Sequence, residues 1–163
     1  FGEPLHPFDA VTASVCNLRP ASRGRVDIAS PNPTAPPRIA PNYLSDPHDR
    51  RVAANAIRFT RQVLSQPAMA KYAPEEFMPG GAGDDDETLA KAAGDVGTTI
   101  FHPVGTARMG ADDGSVVDPS MRVRGVEGLR VVDASVMPTI TSGNTNSPTI
   151  MIAEKSADII MAE

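Results

Sequence analysis

The longest amphipathic pattern in the chain follows Asp46-Pro47, a pair that typically opens a helix. Apolar residues recur after it at helical spacing, at Val52, Ala56, Phe59 and Val63. Polar and basic residues occupy the opposite face, at Arg50, Arg51, Asn55, Arg58, Arg61 and Gln62. We therefore predict an amphipathic helix that ends by Pro67 and keeps its basic face in solvent.

Two further helices are predicted from their N-terminal residues. Acidic residues 84–87 suit a helix start, because the positive end of the helix dipole lies there. Near the end of the chain, Ser147 is a good N-cap and Pro148 suits the first helical position. Apolar residues at helical spacing follow, at Ile150, Met151, Ala153, Ala157, Ile160 and Met161. We predict that this last helix packs them on the core.

Short apolar and β-branched runs predict strands elsewhere. Residues 10–18 and 25–30 flank a turn, which predicts a hairpin with Cys16 buried in its first strand. Residues 121–126 and 129–132 predict two more short strands. Helices and strands together predict a mixed α+β fold.

The composition is that of an acidic globular protein. The 163 residues carry a formal net charge of −5, which argues against a general binder of nucleic acid or membrane surfaces. Sixteen prolines, six of them between positions 31 and 47, predict many loops and an extended connector. One cysteine excludes an intrachain disulfide and favours the reducing cytosol. We expect a cytoplasmic protein of bacterial type, with peripheral membrane association as the alternative.

Polar residues that suit a reactive centre gather in the last third of the chain. His102 follows an apolar run and precedes Pro103, which restricts its backbone. Asp133 ends a strand-like run, and Asn144 and Asn146 precede the predicted last helix. The free amides and the dipole of that helix would stabilise developing negative charge. The alternative is an ordinary capped helix that packs on the core.

Several other kinds of site have no support in the sequence. Three histidines without an H-E-x-x-H motif make a zinc site improbable, and no metal is expected in the acidic residues 84–87. Ser142 is not part of a G-x-S-x-G motif, which argues against a hydrolase. The glycine cluster at residues 80–83 follows no predicted strand and precedes no Lys-Ser/Thr, so it is not a phosphate-binding loop.

Three phrases of the sequence, FHPVGTARMG, LRVVDASVMP and SGNTNSPTIMIAEK, resemble the C-terminal signature of the glucose–methanol–choline (GMC) flavoprotein oxidoreductases. The resemblance is most specific over residues 98–163. It implies that residues 1–97 belong to a substrate-binding cap with an antiparallel sheet. It also implies that residues 98–163 carry the active-site segment and return to the FAD domain with its last strand and helix. The chain would then be the C-terminal part of a longer protein.

The resemblance further implies oxidation of a primary alcohol to an aldehyde, with hydride transfer to flavin N5. His102 corresponds to the catalytic base. Asn146, 44 residues later, corresponds to its partner, and Asn144 is a close rival. Contacts with FAD are implied for Asp133 and Ala134 and, at the start of the last helix, for Thr145, Pro148 and Thr149. A small alcohol is the expected substrate, in a choline dehydrogenase-like or aromatic-alcohol oxidase-like protein.

The chain contains no G-x-G-x-x-G loop, the motif that holds the dinucleotide in this family. FAD is therefore expected to bind this chain alone weakly or not at all, and the missing N-terminal FAD-binding portion is its expected partner. Two other functions remain open. One is an FAD-containing hydroxynitrile lyase, and the other is a non-catalytic interaction domain.

Overall fold

Three helices and one small sheet form the main regular elements of the computed structural model, which describes Pro4 and residues 6–81 and 83–163. The helices are α1 (Pro47–Leu64), α2 (Asp86–Val96) and α3 (Asn146–Met161). Strands β1 (Arg25–Asp27) and β2 (Arg38–Ala40) pair antiparallel, and 3₁₀ helices span Pro67–Tyr72 and Ala134–Val136. The predicted mixture of helix and sheet is confirmed. No described helix is long and apolar enough to cross a membrane.

The chain divides into two compact units. The first comprises Phe1–Asn17 and Arg50–Val96, and the second comprises Leu18–Asp49 and Gly97–Glu163. Every candidate site residue lies in the second unit. The assignment of residues 1–97 to a cap and of residues 98–163 to the flavin domain stays a prediction.

Helix α1 begins and ends where the sequence predicts, but its predicted faces are partly wrong. Ala54 is fully buried, whereas Phe59 is 62% exposed and Val63 is also exposed. Arg58 pairs with Asp86 at 2.7 Å, and Arg61 pairs with Glu76 at 2.9 Å. Two arginines assigned to a solvated face therefore tie α1 to the segment that leads into α2.

Helix α2 confirms the prediction from its acidic start. Asp85 accepts a hydrogen bond from the Thr88 amide at 2.9 Å, as an N-cap residue does. That hydrogen bond keeps the pKa of Asp85 below its ordinary value. Leu89 and Ala90 are buried, as expected of the apolar side. The glycine cluster just before the helix includes Ala82, which lies outside the described residues.

The predicted strand over residues 10–18 is wrong. This segment forms no strand, its Val11 is 72% exposed, and Cys16 is exposed rather than buried. β1 pairs instead with β2, in the register Arg25↔Ala40, inside the proline-rich segment. A two-stranded ribbon has only edge strands, and edge strands tolerate nearby prolines.

The second unit contains a small hydrophobic core. Val117, Met121 and Val136 are buried, and the residues packed against them are Met109, Val123, Val131, Val132 and Ile152. The predicted strands 121–126 and 129–132 are present only as the isolated antiparallel bridges Arg122↔Arg130 and Val117↔Val123 with flanking backbone hydrogen bonds. Because Ile152 belongs to α3, this core fixes the helix next to the segments that carry the candidate site.

Asp49, in the first turn of α1, fixes the turn that precedes β1. Its carboxylate is buried and accepts hydrogen bonds from the Ala21 amide at 2.9 Å and the Ser22 amide at 2.7 Å. Burial alone would raise the pKa of Asp49. Hydrogen bonds from Ser22 and Ala21 outweigh that effect, so the pKa lies below its ordinary value.

Candidate active site

The segment His102–Thr106, here called the HPVGT segment, has an unusual backbone on both sides of its histidine. Phe101 has a φ of 61°, in the left-handed region that residues with a side chain rarely adopt. Pro103 follows His102 and disfavours a helical backbone at the histidine. Gly105 has a φ of 89°, and a Cβ there would lie 3.3 Å from the Met137 carbonyl oxygen. His102 is held between a left-handed residue and a proline.

Two backbone hydrogen bonds fix the chain just after the HPVGT segment. The Ala107 amide donates to the Ser135 carbonyl at 3.0 Å, and the Met109 amide donates to the Val136 carbonyl at 2.8 Å. Both acceptors belong to the 3₁₀ helix Ala134–Val136. The stretch that carries His102 is therefore anchored beside the stretch that carries Asp133 and Ala134.

Asp133 caps that 3₁₀ helix. Its Oδ1 accepts a hydrogen bond from the Ser135 amide at 2.7 Å and another from the Ser135 hydroxyl. The Asp133 side chain is exposed, and Ala134 is half-buried. One carboxylate oxygen thus holds the turn, and Oδ2 has no partner among the described residues.

Helix α3 begins at Asn146 with Thr145 as N-cap, so the predicted cap at Ser147 is wrong. The Thr145 carbonyl accepts hydrogen bonds from the Thr149 amide at 3.0 Å and from the Thr149 hydroxyl at 2.7 Å. This pair of bonds starts the helix two residues early and places Pro148 in its first turn. Pro148 still fits, since a first-turn amide has no partner within the helix.

The buried face of α3 also differs from the prediction. Ile150, Met151, Ile160 and Met161 are exposed. Instead, the side chains turned away from solvent are Thr145, Thr149, Ile152, Ser156 and Ile159. Apolar residues lie all round this helix, so spacing alone does not identify the side that packs.

The start of α3 can accept negative charge. Within the part of the chain that the structure describes, the amides of Asn146 and Ser147 have no hydrogen-bond partner. The first turn contains no acidic residue. Free amides at the positive end of a 16-residue helix favour an anion or a developing oxyanion.

The two candidate asparagines flank this helix start. Asn144 and Asn146 are both exposed, and Thr145 between them is buried. His102 is half-buried, and in the described residues no hydrogen bond joins its imidazole to either asparagine. All three side chains have donors or acceptors open to a ligand.

Two features of the loop that leads into α3 have no signal in the sequence. The Arg19 guanidinium donates to the Ile140 carbonyl at 3.3 Å. The Thr141 hydroxyl is buried without a hydrogen-bond partner among the described residues. Arg19 thus helps to fix the loop that carries the asparagines.

The loop after the HPVGT segment is held by an ion pair. Both terminal nitrogens of Arg108 donate to Asp112, at 2.9 and 2.7 Å. These bonds lower the pKa of Asp112 to about 2. Arg124 donates to the Ser115 hydroxyl and to the Gly110 carbonyl, so the acidic loop is a structural turn built round two arginines.

Comparison with known proteins shows the family of this chain. The sequence model of the GMC oxidoreductase family matches residues 20–153. The chain belongs to the GMC oxidoreductase family. Its resemblance to this family, noted in three phrases of the sequence, is therefore confirmed.

Two curated GMC relatives are similar over nearly the whole chain. An alcohol dehydrogenase [acceptor] of Pseudomonas putida is 49% identical over 150 residues, which is 92% of this chain. An oxygen-dependent choline dehydrogenase of Paraburkholderia xenovorans (strain LB400) is 47% identical over 156 residues, which is 96% of this chain. The chain spans 27% of the length of each relative.

A solved structure agrees in fold. Pyridoxine 4-oxidase, given as from Mesorbium loti, superposes with a TM-score of 0.83 and 32% sequence identity. The match covers 90% of this chain and 28% of the oxidase. The described fold therefore corresponds to one part of a larger GMC oxidoreductase.

GMC oxidoreductases are FAD-dependent, and the residues at the start of α3 fit one end of that cofactor. The free amides of Asn146 and Ser147, with no acidic residue nearby in the helix, suit the polar edge of a reduced flavin, which carries negative charge. The chain contains no glycine-rich loop for the pyrophosphate. The fit is therefore to the reactive end of FAD only.

Proposed function

We propose that this chain supplies the proton-accepting and oxygen-binding groups of an FAD-dependent alcohol oxidation. The observation that carries the proposal is the pair of hydrogen bonds from Ala107 and Met109 to the 3₁₀ helix that follows Asp133. These bonds join the histidine segment to a predicted flavin-binding segment in one unit, and the same unit contains the start of α3. A base, a donor and an anion-stabilising helix end are the groups that this oxidation needs.

In the proposed reaction, His102 accepts the proton of the substrate hydroxyl as general base. The Asn146 amide group donates a hydrogen bond to the same oxygen and stabilises the alkoxide character that develops there. Asn144 is the alternative donor. FAD, when bound, supplies the acceptor for the hydride that leaves the α-carbon. The products are an aldehyde, a protonated His102 and a two-electron-reduced cofactor, so atoms and electrons balance.

We assign the cofactor contacts of this chain to two places. Asp133 and Ala134 lie at the 3₁₀ helix, where Asp133 keeps Oδ2 open while Oδ1 holds Ser135. Thr145 is the N-cap of α3, and Pro148 and Thr149 lie in its first turn. The free amides of Asn146 and Ser147 beside them would stabilise negative charge on the reduced flavin.

The proposed substrate is a small primary alcohol. Relatives at 49% and 47% identity are named for alcohol and for choline, which supports alcohols of the choline type as first candidates. With Asn146 or Asn144 instead of a second histidine as its proposed partner, His102 is the one strong base of the proposed site. Aromatic alcohols are the second class to be tested.

We propose that the rest of a full-length GMC oxidoreductase covers apolar surfaces of this chain. Val11, Val15, Ile150, Met151 and Met161 are all exposed. Ile150 and Met151 are neighbours in α3, and adjoining apolar side chains that are exposed often mark a surface that contacts protein. The partner would also supply the glycine-rich loop that holds the dinucleotide.

The test of the base is His102→Ala in the full-length flavoprotein, with choline and benzyl alcohol as probes. We expect flavin reduction by alcohol to slow about 10² to 10⁴-fold, the usual effect of a positioned base. His48→Ala is the matched control, since His48 is an exposed histidine that is not among the candidate site residues, and its loss should leave the rate unchanged. Near-normal flavin reduction by both alcohols in His102→Ala would refute the assignment.

The test of the donor compares Asn146→Ala with Asn144→Ala. Replacing the true partner should slow flavin reduction about 10² to 10³-fold, as the loss of one oxyanion donor does. The variant that combines this change with His102→Ala should lose less rate than the product of the two single losses, because both groups act on one oxygen. Equal, small effects at both asparagines would exclude this role for either.

The same proteins distinguish the two other functions. Cleavage of mandelonitrile by a holoprotein whose flavin is not reduced by alcohols would indicate a hydroxynitrile lyase. A protein that neither binds FAD nor turns over either substrate would indicate an interaction domain.

A further inference from the structure

Phe101 is the residue at the candidate site whose backbone is least expected. Its φ of 61° lies in the left-handed region, which an aromatic residue enters only when its surroundings hold it there. Its side chain is 62% exposed, so full burial of the ring does not explain the conformation. The position is unusual in its backbone.

The hydrogen bonds round Phe101 show what its conformation does to the chain. The Phe101 amide donates to the Thr99 hydroxyl at 3.1 Å, which closes a tight turn just before His102. Downstream, the chain is anchored by the hydrogen bonds of Ala107 and Met109. Upstream, residues 97–100 form no regular element that could aim the histidine.

We propose that the left-handed backbone of Phe101 positions His102. It sets the direction of the chain at this turn and therefore the direction in which the imidazole projects. Pro103 limits the backbone of His102 from the other side. Phe101 is thus a positioning residue that acts through His102, and the inference rests on the proposed role of His102 as base. It concerns the backbone of residue 101, whichever side chain that residue carries.

Two substitutions of similar size separate the backbone from the ring. Phe101→Asn and Phe101→Val both remove the aromatic ring from an exposed position. Asparagine tolerates the left-handed region, whereas the β-branched valine strongly disfavours it. A role for the ring predicts equal losses in the two variants, and a role for the backbone predicts a loss in the valine variant only.

The measurement is the rate of flavin reduction by choline or benzyl alcohol in the full-length holoprotein. We expect Phe101→Val to reduce kcat about tenfold, which corresponds to ~1.4 kcal/mol, with little change in KM. Phe101→Asn should stay within about threefold of the parent, because its backbone cost in the left-handed region is small. Equal rates for the two variants would overturn the proposal.

The neighbouring residue provides the matched control. Ile100 is also exposed, but its φ is not in the left-handed region. Ile100→Val should therefore be at least as active as Ile100→Asn, the reverse of the order at position 101. If Phe101→Val fails to fold, Phe101→Gly and Phe101→Ala give a smaller contrast in the same direction. Alanine should then be slower, and equal rates would contradict the proposal.

A second readout observes His102 directly. In nuclear magnetic resonance spectra of protein that is isotopically labelled at histidine, the His102 ring signals are identified by their loss in His102→Ala. Those signals should shift or divide in Phe101→Val and stay at the parent position in Phe101→Asn. Unchanged His102 signals in a slow Phe101→Val variant would also count against the proposal.

His102→Ala separates the two possible failures. If that variant keeps full activity, the proposed function fails, and with it the basis of this inference. If it loses activity while Phe101→Val and Phe101→Asn remain equal, only the positioning role fails.

Discussion

Gly105 lies three residues after His102, where the chain turns against the 3₁₀ helix of Ala134–Val136. Its φ of 89° is one that side-chain-bearing residues rarely adopt, and a Cβ would stand 3.3 Å from the Met137 carbonyl oxygen. Both effects act against any substitution. The residue therefore lets the HPVGT segment approach the segment that carries Asp133 and Ala134.

We expect Gly105→Ala to destabilise this chain by about 1–3 kcal/mol, the cost of a residue held in a sparsely populated backbone region. Urea unfolding followed by circular dichroism measures it. Gly125 has a φ of 76° and nothing within 4 Å, so Gly125→Ala isolates the backbone cost from the contact. Gly143 has open space and an ordinary φ, so Gly143→Ala should be neutral. Equal stability of all three variants would contradict this account.

Which residues of the site can be predicted from the sequence depends on how each residue acts. His102, Asp133 and Asn146 carry polar groups whose chemistry is visible in the residue type. Their roles at the site stay predictions. Phe101 has an unusual backbone angle, and Arg19 contacts a residue 121 positions later in the chain. Neither feature leaves a local pattern in the sequence. An aromatic residue in the left-handed region runs against its own preference, so only the folded chain reveals it.

At the scale of elements, the helices could be predicted because their starts are chemical. Asp46-Pro47 and Asp85 offer oxygen atoms to free amides, and α1 and α2 begin beside them. The buried faces of the helices were less predictable than the residues at which the helices begin. α3 carries apolar residues on every side among its polar ones. Arg58 of α1 forms an ion pair with Asp86.

Strands were the least predictable elements, because pairing depends on a partner that periodicity does not identify. Residues 10–18 have the composition of a strand, yet the described residues give them no pairing partner. Residues 38–40 lie between prolines and still pair with residues 25–27. Gly24 permits this pairing, since a Cβ there would stand 2.3 Å from the Ala40 carbonyl oxygen.

Asp49 holds the turn before β1, and its contribution should depend on pH. We expect Asp49→Asn to lower the free energy of unfolding by about 1–3 kcal/mol at neutral pH, because one of the two backbone amides that Asp49 accepts from loses its acceptor. The pKa of Asp49 is lower in the folded chain than its ordinary value of 3.8. Its stabilising effect is therefore complete above that value and is lost as the pH falls through the folded pKa.

Urea unfolding from about pH 7 down to about pH 2 measures this dependence. The free energies of unfolding of the parent and of Asp49→Asn should become equal once the Asp49 carboxyl is protonated. Asp113→Asn is the control, since Asp113 is exposed and no hydrogen bond to its carboxylate exists among the described residues. A stability difference between Asp49→Asn and the parent that stays constant to the lowest pH would show that the carboxylate charge is not what holds the turn.

At the scale of the whole molecule, two features set the relation of this chain to FAD. The chain spans 27% of the length of each of the two curated relatives, and its sequence contains no G-x-G-x-x-G loop. In the proposed function, this chain contributes the first turn of α3 and the stretch at Asp133 to the flavin ring. In dinucleotide-binding folds the pyrophosphate is held by a glycine-rich turn and a helix start. Most of the expected contacts with FAD would therefore come from a partner segment.

We expect the isolated 163-residue chain to bind FAD more weakly than about 10⁻⁶ M, a threshold that corresponds to ~8.2 kcal/mol of binding free energy. Quenching of flavin fluorescence on titration with the chain measures it. Circular dichroism must first show the helices α1 to α3, so that weak binding is not confused with an unfolded chain. The full-length flavoprotein is the positive control.

The physical reason for weak binding can be tested in the same titration. Riboflavin lacks the pyrophosphate and the adenosine, so a site that contacts only the ring should bind riboflavin and FAD about equally. A full site should prefer FAD by several kcal/mol, since charge-assisted bonds to phosphate are each worth about 1.5–3 kcal/mol. Micromolar or tighter binding of FAD, with riboflavin clearly weaker, would mean that this chain holds the dinucleotide without a glycine-rich loop.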